Sequence, residues 1–163
     1  MIISGNTFLI TGGTSGIGFE LADQFLKLGN TVLITGRDQH KIEEAQTRLP
    51  GIHTFQSDVT DPKAIPLLFN AVVKKFPTLN VLVNNAGIMR KVNLQDTRDS
   101  LNDINSEIDT DLTGPVRMVR QFLRHLKTQK CAAIVNVSFG VAFVPFPIAP
   151  VHCAAKASVH SFT

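Results

Sequence analysis

The chain has 163 residues, 44% of them apolar and 18% charged, with a net charge of +3 spread over interleaved acids and bases. This composition fits one globular domain over residues 1–163, and with no basic run interleaved with aromatics it argues against a nucleic-acid partner. No apolar stretch is long enough to span a bilayer, no leader pattern precedes the first strand, and Cys131 and Cys153 make no disulfide framework, so a cytoplasmic protein without a membrane partner is expected.

Strand and helix patterns alternate along the chain. NTFLITG, at 6–12, reads as a short apolar strand. Ile17, Leu21, Phe25 and Leu28 follow at helical spacing, and Gly29 ends that helix. TVLITG is the second strand, after which Asp38 caps a helix in QHKIEEAQTRL. IHTFQSDV holds a shorter third strand. Asp61 and Pro62 read as the N-cap and first residue of a helix running toward Phe76. LNVLVNNAG is the fourth strand. A long helix follows, with Ile104, Ile108, Leu112, Val116, Val119, Leu123 and Leu126 on one face and a bend at Gly114–Pro115. AAIVNVS is the fifth strand, and a loop with Pro145, Pro147 and Pro150 leads to a last helix from about Val151. Alternating units with strands apolar throughout predict an α/β fold: a Rossmann-like, doubly wound parallel sheet of about five strands, ordered 3-2-1-4-5.

TGGTSGIG, at 11–18, joins the first strand to its helix. Gly12, Gly16 and Gly18 let the backbone turn tightly and approach a pyrophosphate, and the helix N-terminus supplies N–H groups and a positive dipole end. Thr14 and Ser15 add hydroxyl donors, and Ile17 belongs to the same stretch. The spacing is G-x-x-x-G-x-G; a plain glycine-rich turn is the alternative.

TGGTSGIG, Asp58–Val59, NNAG at 84–87, NVS at 136–138 and Lys156 together resemble the short-chain dehydrogenase/reductase family over the whole chain. LNVLVNNAGI and APVHCAAKASVHSFT are most similar to its DltE-like oxidoreductase branch. The resemblance implies Asp58 and Val59 at an adenine ring, and Asn84, Ala86 and Gly87 along the cofactor. Asn84 and Asn85 equally read as ties between strand ends. The second strand ends in Gly36 rather than an acid, and Arg37 follows. A guanidinium there suits a 2′-phosphate, which favours NADP over NAD; a solvated surface arginine is the other reading. Asp38 has the spacing of a ribose ligand but is read as the helix cap.

In the family, a tyrosine gives its proton to a carbonyl oxygen as hydride arrives. A lysine assists it and holds the nicotinamide ribose, a serine orients the substrate, and an asparagine holds a relay water. Ser138 and Lys156 match that pattern. His152 stands at the tyrosine position and Asp111, in IDTDLTGP, at the asparagine position; the chain has no tyrosine at all. An imidazole is able to serve as a general acid but is shorter than a phenol, and losing a positioned acid costs about 10²–10⁴-fold. The expectation is therefore an NADP-dependent oxidoreductase acting weakly or not at all on a small carbonyl or alcohol, with a non-catalytic nucleotide-binding or interaction module as its rival.

Other constellations are weaker. Ser138, His152 and Asp111 carry the groups of a hydrolytic triad, but no G-x-S-x-G elbow is present and Asp111 is expected to meet Lys156 first. His40, His53, His125 and His160 have no metal-ligand spacing, so no metal is expected. Phe139, Phe143 and Phe146 read either as a pocket wall or as core. The helical pattern still runs at Thr163, whereas family members continue with two more strands, a substrate-covering loop and a helix. The fifth strand is thus expected to be an apolar edge, which predicts a homo-oligomer.

Overall fold

The computed structural model describes residues 2–91, 94 and 101–163. Five strands form one parallel sheet: β1 (Thr7–Thr11), β2 (Thr31–Gly36), β3 (His53–Gln56), β4 (Val81–Asn84) and β5 (Ala133–Asn136), in the order β3-β2-β1-β4-β5. Parallel neighbours need long crossovers, and helices supply them. These are α1 (Gly16–Lys27), α2 (Gln39–Arg48), α3 (Ala64–Lys75), α4 (Leu101–Ile108) and α5 (Gly114–Leu126), and α6 (Pro150–Phe162) follows β5. A π-helical turn, Asp109–Thr113, joins α4 to α5.

Both faces of the sheet are covered, which is why its inner strands read as unbroken apolar runs. Phe8, Ile10, Val32, Ile34, Val81 and Val83 face the side of α1 and α2. Leu9, Leu33 and Leu82 face α3 and α5, where Leu68, Val72, Met118 and Phe122 complete the core. Among the described residues, no helix is long and apolar enough to cross a membrane.

Three sequence expectations need correcting. α1 does not bury the Ile17–Leu28 stripe: both of those residues are exposed, and Gly18 and Ala22 are buried instead. A small residue at each point lets the helix lie close to the sheet while Phe19, Leu21, Phe25 and Leu26 pack to its sides. In α5 the buried stripe is Met118, Phe122 and Leu126, whereas Val116 and Leu123 are exposed. The π-turn adds a residue to one turn and rotates all later side chains by about 100°. The apolar face read from Ile104 onward therefore does not continue into α5, and the interruption is this turn rather than a bend at Gly114–Pro115. The helix expected from Asp61 and Pro62 begins at Ala64; Asp61 Oδ1 accepts from Lys63 N in the turn just before it.

Candidate active site

β1 leads outward to β2 and β3, whereas β4 leads to β5 on the other side. The carboxyl ends of β1 and β4 therefore flank a topological switch point, where doubly wound sheets bind ligands. A cleft of about 520 Å³ opens there. Gly12, Thr14, Ser15, Gly16 and Ile17 form one wall, Gly36, Arg37, Asp38 and Lys41 a second, and Ser57, Asp58 and Val59 a third. Asn85, Ala86, Gly87, Ile88 and Thr110 close it.

The loop after β1 is built around Gly12, whose φ is +65° and where an added Cβ would lie 2.8 Å from Ala86 Cα. Asn85 Nδ2 donates to the carbonyls of Thr11 and Gly12 at 3.0 and 3.1 Å, and Thr11 Oγ1 accepts from the N–H groups of Asn85 and Ala86. The ends of β1 and β4 are thereby locked at close approach. Ser15, the residue before α1, makes no side-chain cap, so no hydroxyl occupies the first-turn N–H groups at the cleft wall. Gly18 stands behind that wall, where an added Cβ would lie 2.5 Å from the Gly12 carbonyl oxygen.

At the end of β2 any side chain on residue 36 would crowd Thr14. A Cβ on Gly36 would lie 2.6 Å from Thr14 Cγ2. Arg37 and Lys41 present exposed cations instead, and Lys41 was not singled out from the sequence although it lies one helical turn after Arg37. Asp38 serves as the cap of α2, its Oδ1 accepting from His40 N at 3.0 Å and Lys41 N at 3.3 Å, which stabilises the helix by about 1 kcal/mol. Asp58 Oδ1 accepts from both the N–H and the hydroxyl of Thr60 at 2.8 Å. Asn84 lies off the cleft wall, buried, and donates to Asn136 Oδ1 at 2.8 Å; Asn85 takes its place in the wall.

Immediately behind Gly87 and Ile88 lies a second cluster of charged and polar groups. Glu107 and Asp111 are fully buried and four residues apart across the junction of α4 and the π-turn. His152 and Lys156 are buried one turn apart on α6. Lys156 Nζ reaches Asp111 Oδ1 at 2.9 Å and the Val137 carbonyl at 3.3 Å. The contact with Asp111 is a close charge pair rather than an aligned hydrogen bond, since Oδ1 has no hydrogen-bond partner. Asp111 Oδ2 accepts from Ile88 N at 3.0 Å. His152 Nδ1 lies 3.1 Å from Glu107 Oε1 and 3.1 Å from the Ile88 carbonyl oxygen. Ser138 Oγ donates to the Lys156 carbonyl at 3.3 Å. Gly87 permits this packing, because a Cβ there would lie 2.6 Å from Asp111 Oδ1.

The four side chains of the sequence-derived catalytic set thus come together, with Glu107 as an unforeseen fifth. Asp111 meets Lys156, and the carboxylate hydrogen-bonded to His152 is Glu107, so Ser138, His152 and Asp111 are not linked as a hydrolytic triad. Phe139, Phe143 and Phe146 are exposed, not core. The open phosphate-sized turn, the bare helix start, the cations after β2 and the polar cluster behind Gly87 fit a nicotinamide dinucleotide laid across the switch point.

The family model for short chain dehydrogenases matches residues 6–163. The chain is 45% identical to the uncharacterized oxidoreductase DltE of Bacillus subtilis, over all of this chain and 65% of that protein. It is 34% identical to sulfoacetaldehyde reductase 2 of Chromohalobacter salexigens, covering 95% of this chain and 63% of the relative. Both relatives are longer than the chain, which spans just under two thirds of each. A short chain dehydrogenase from Mycobacterium smegmatis superposes with a TM-score of 0.91 at 26% identity, over 99% of this chain and 68% of that one. The chain belongs to the short chain dehydrogenase family.

Proposed function

We propose that the chain is an NADP(H)-dependent short-chain oxidoreductase of the cytoplasm, which moves hydride slowly between its cofactor and a small carbonyl or alcohol. The observation that carries the cofactor choice is the end of β2. A side chain on residue 36 would crowd Thr14, and Arg37 and Lys41 stand on the cleft wall. Two cations there favour a 2′-phosphate over a free hydroxyl.

When bound, the cofactor supplies or accepts hydride. The chain's own part is to orient the reacting oxygen and handle its proton. His152 is the group at the tyrosine position and the substitute acid, Ser138 orients the substrate, and Lys156 is the ribose ligand. Slow turnover follows from the shorter reach of an imidazole and from the hold of Asp111 on Lys156. The same hold, with Lys156 buried and off the cleft wall, favours a second reading: a nucleotide-binding module without turnover.

Calorimetric titration with NADPH and then NADH tests the proposal. The native chain is expected to prefer NADPH. Arg37→Ala with Lys41→Ala is expected to weaken NADPH by about 10- to 100-fold, the loss of one or two charge-assisted bonds, while NADH changes little. Tight NADPH binding with no reduction of a panel of carbonyls favours the non-catalytic module. Failure of both nucleotides to bind sinks both readings.

Self-association belongs to the same proposal. It is supported by the outer edge of β5, which has no strand partner among the described residues and where Val135 is 44% exposed. A monomer in sedimentation at working concentration overturns it.

A further inference from the structure

Glu107 is fully buried, and its Oε2 has no hydrogen-bond partner among the described residues. Its Oε1 accepts from Arg90 N at 3.3 Å and faces His152 Nδ1 at 3.1 Å. The Ile88 carbonyl oxygen lies at 3.1 Å from the same ring nitrogen. A carbonyl oxygen only accepts, and so does an ionised carboxylate, so the shared contact requires a proton on Nδ1. The nitrogen left to exchange protons is Nε2, on the other edge of the ring. A carboxylate on one imidazole nitrogen is a general way to fix tautomer and orientation so that the other nitrogen does the chemistry.

The charges around the ring close on the same arrangement. α4 contributes Glu107, the π-turn Asp111, and α6 Lys156, while Arg90 of the loop after β4 turns its guanidinium to Asp103 at 3.1 Å. Asp109 faces Arg117 at 4.0 Å instead. Asp111 comes within 4.8 Å of the imidazole but is already held by Lys156 and Ile88 N. Among the described residues, two buried carboxylates, Glu107 and Asp111, thus stand beside one ammonium, that of Lys156. A buried carboxylate without a counter-charge is strongly disfavoured.

We infer that Glu107 is the positioning residue of this site: with the Ile88 carbonyl it fixes a proton on His152 Nδ1 and leaves Nε2 to exchange a proton with the substrate oxygen. The last step rests on the oxidoreductase reading above. In the reducing direction, hydride forms the new C–H bond and the C=O π pair moves to oxygen. The oxygen takes the Nε2 proton, the Nδ1 proton stays against Glu107, and water returns a proton to Nε2.

Long-range proton–nitrogen spectra of the chain labelled with nitrogen-15 histidine test this directly, with His152 assigned through His152→Gln. The native chain is expected to hold the neutral His152 ring with its proton on Nδ1. Glu107→Gln, which keeps the shape and removes the charge, is expected to reduce the share of the neutral ring that carries its proton on Nδ1. In NADPH-linked carbonyl reduction, Glu107→Gln is expected to lower kcat about 10-fold or more with KM changed less. A bare Nδ1 in the native chain, spectra unchanged by Glu107→Gln, or one zinc ion bound per chain through His152 overturns the inference. If Glu107→Gln does not fold, the native spectrum still decides which nitrogen holds the proton. A protonated Nδ1 in a chain that reduces no carbonyl sinks the oxidoreductase reading and leaves the placement of the proton standing.

Discussion

Lys156→Met is expected to lower the unfolding free energy by about 3–5 kcal/mol, the usual cost of removing one partner from a buried ion pair. Asp111 is fully buried, and the structure gives it one ammonium and one backbone N–H. Methionine fills the space of the lysine stem but leaves the carboxylate facing no cation at 2.9 Å. The neighbouring imidazole is engaged elsewhere, by Glu107 and the Ile88 carbonyl. Lys156→Met combined with Asp111→Asn is expected to recover most of the loss, because the leftover charge is gone while the bond from Ile88 N to the side-chain oxygen remains. Denaturant unfolding of the three variants checks this. A cost for Lys156→Met below about 0.5 kcal/mol, the size of a surface substitution, would mean that the pair does not form in solution.

The replacements at positions 111 and 152 belong to one local problem. A neutral amide in place of Asp111 would leave Lys156 the sole buried cation of the turn, and an aspartate there gives it a counter-charge. A histidine at 152 gives Glu107 a hydrogen-bond partner at 3.1 Å. The site therefore holds two carboxylate contacts side by side, the ion pair of Lys156 with Asp111 bridging α6 to the π-turn and the contact of His152 with Glu107 bridging α6 to α4. Each pair ties α6 to the segment that follows β4, through Ile88 N in one case and the Ile88 carbonyl in the other.

Much of the fold was legible because its signals are local. Short strands buried on both faces read as apolar runs, Gly29 stops α1 with a φ of +77°, and Asp38 caps α2 as its position suggested. The parallel sheet with helices on both faces followed from alternation and the preference for right-handed crossovers, which leave more than one strand order open. The helix faces were less legible, because an apolar stripe at helical spacing does not say whether it meets a core or an open groove. Ile108 and Leu112 illustrate this: with Val151, Ala154 and Ala155 they line a second, open groove. Glu107 was not singled out from the sequence, because the apolar stripe through Ile104 and Ile108 drew the reading of this helix. The available signal was its spacing of four from Asp111, which puts the two acids on one face. The π-turn was invisible, since no residue type demands it. Lys41 was hidden by its own helix, being read only as part of α2.

Gly12→Ala is expected to do more harm than Gly16→Ala, although both glycines have left-handed backbones, with φ of +65° and +56°. The conformational cost is shared and comes to about 1–2 kcal/mol for a residue with a Cβ. The surroundings differ. Nothing lies within 4 Å of a Cβ on Gly16, whereas a Cβ on Gly12 would lie 2.8 Å from Ala86 Cα. That neighbour is backbone, and it cannot retreat freely: Thr11 Oγ1 holds Ala86 N, and Asn85 Nδ2 holds the carbonyls of Thr11 and Gly12. Relieving the clash means prising apart the ends of β1 and β4, at a further cost of about 1–3 kcal/mol for overpacking. The same displacement moves both walls of the cleft. A shift that costs the bound state about 3 kcal/mol weakens a nucleotide roughly 100-fold, so Gly12→Ala is expected to lose measurable NADPH binding while Gly16→Ala retains it with a smaller loss. Calorimetric titration together with unfolding of the two variants separates the contributions. Equal losses in both would show that backbone conformation alone sets the loop, and that the approach of Gly12 to Ala86 is not what shapes the phosphate site.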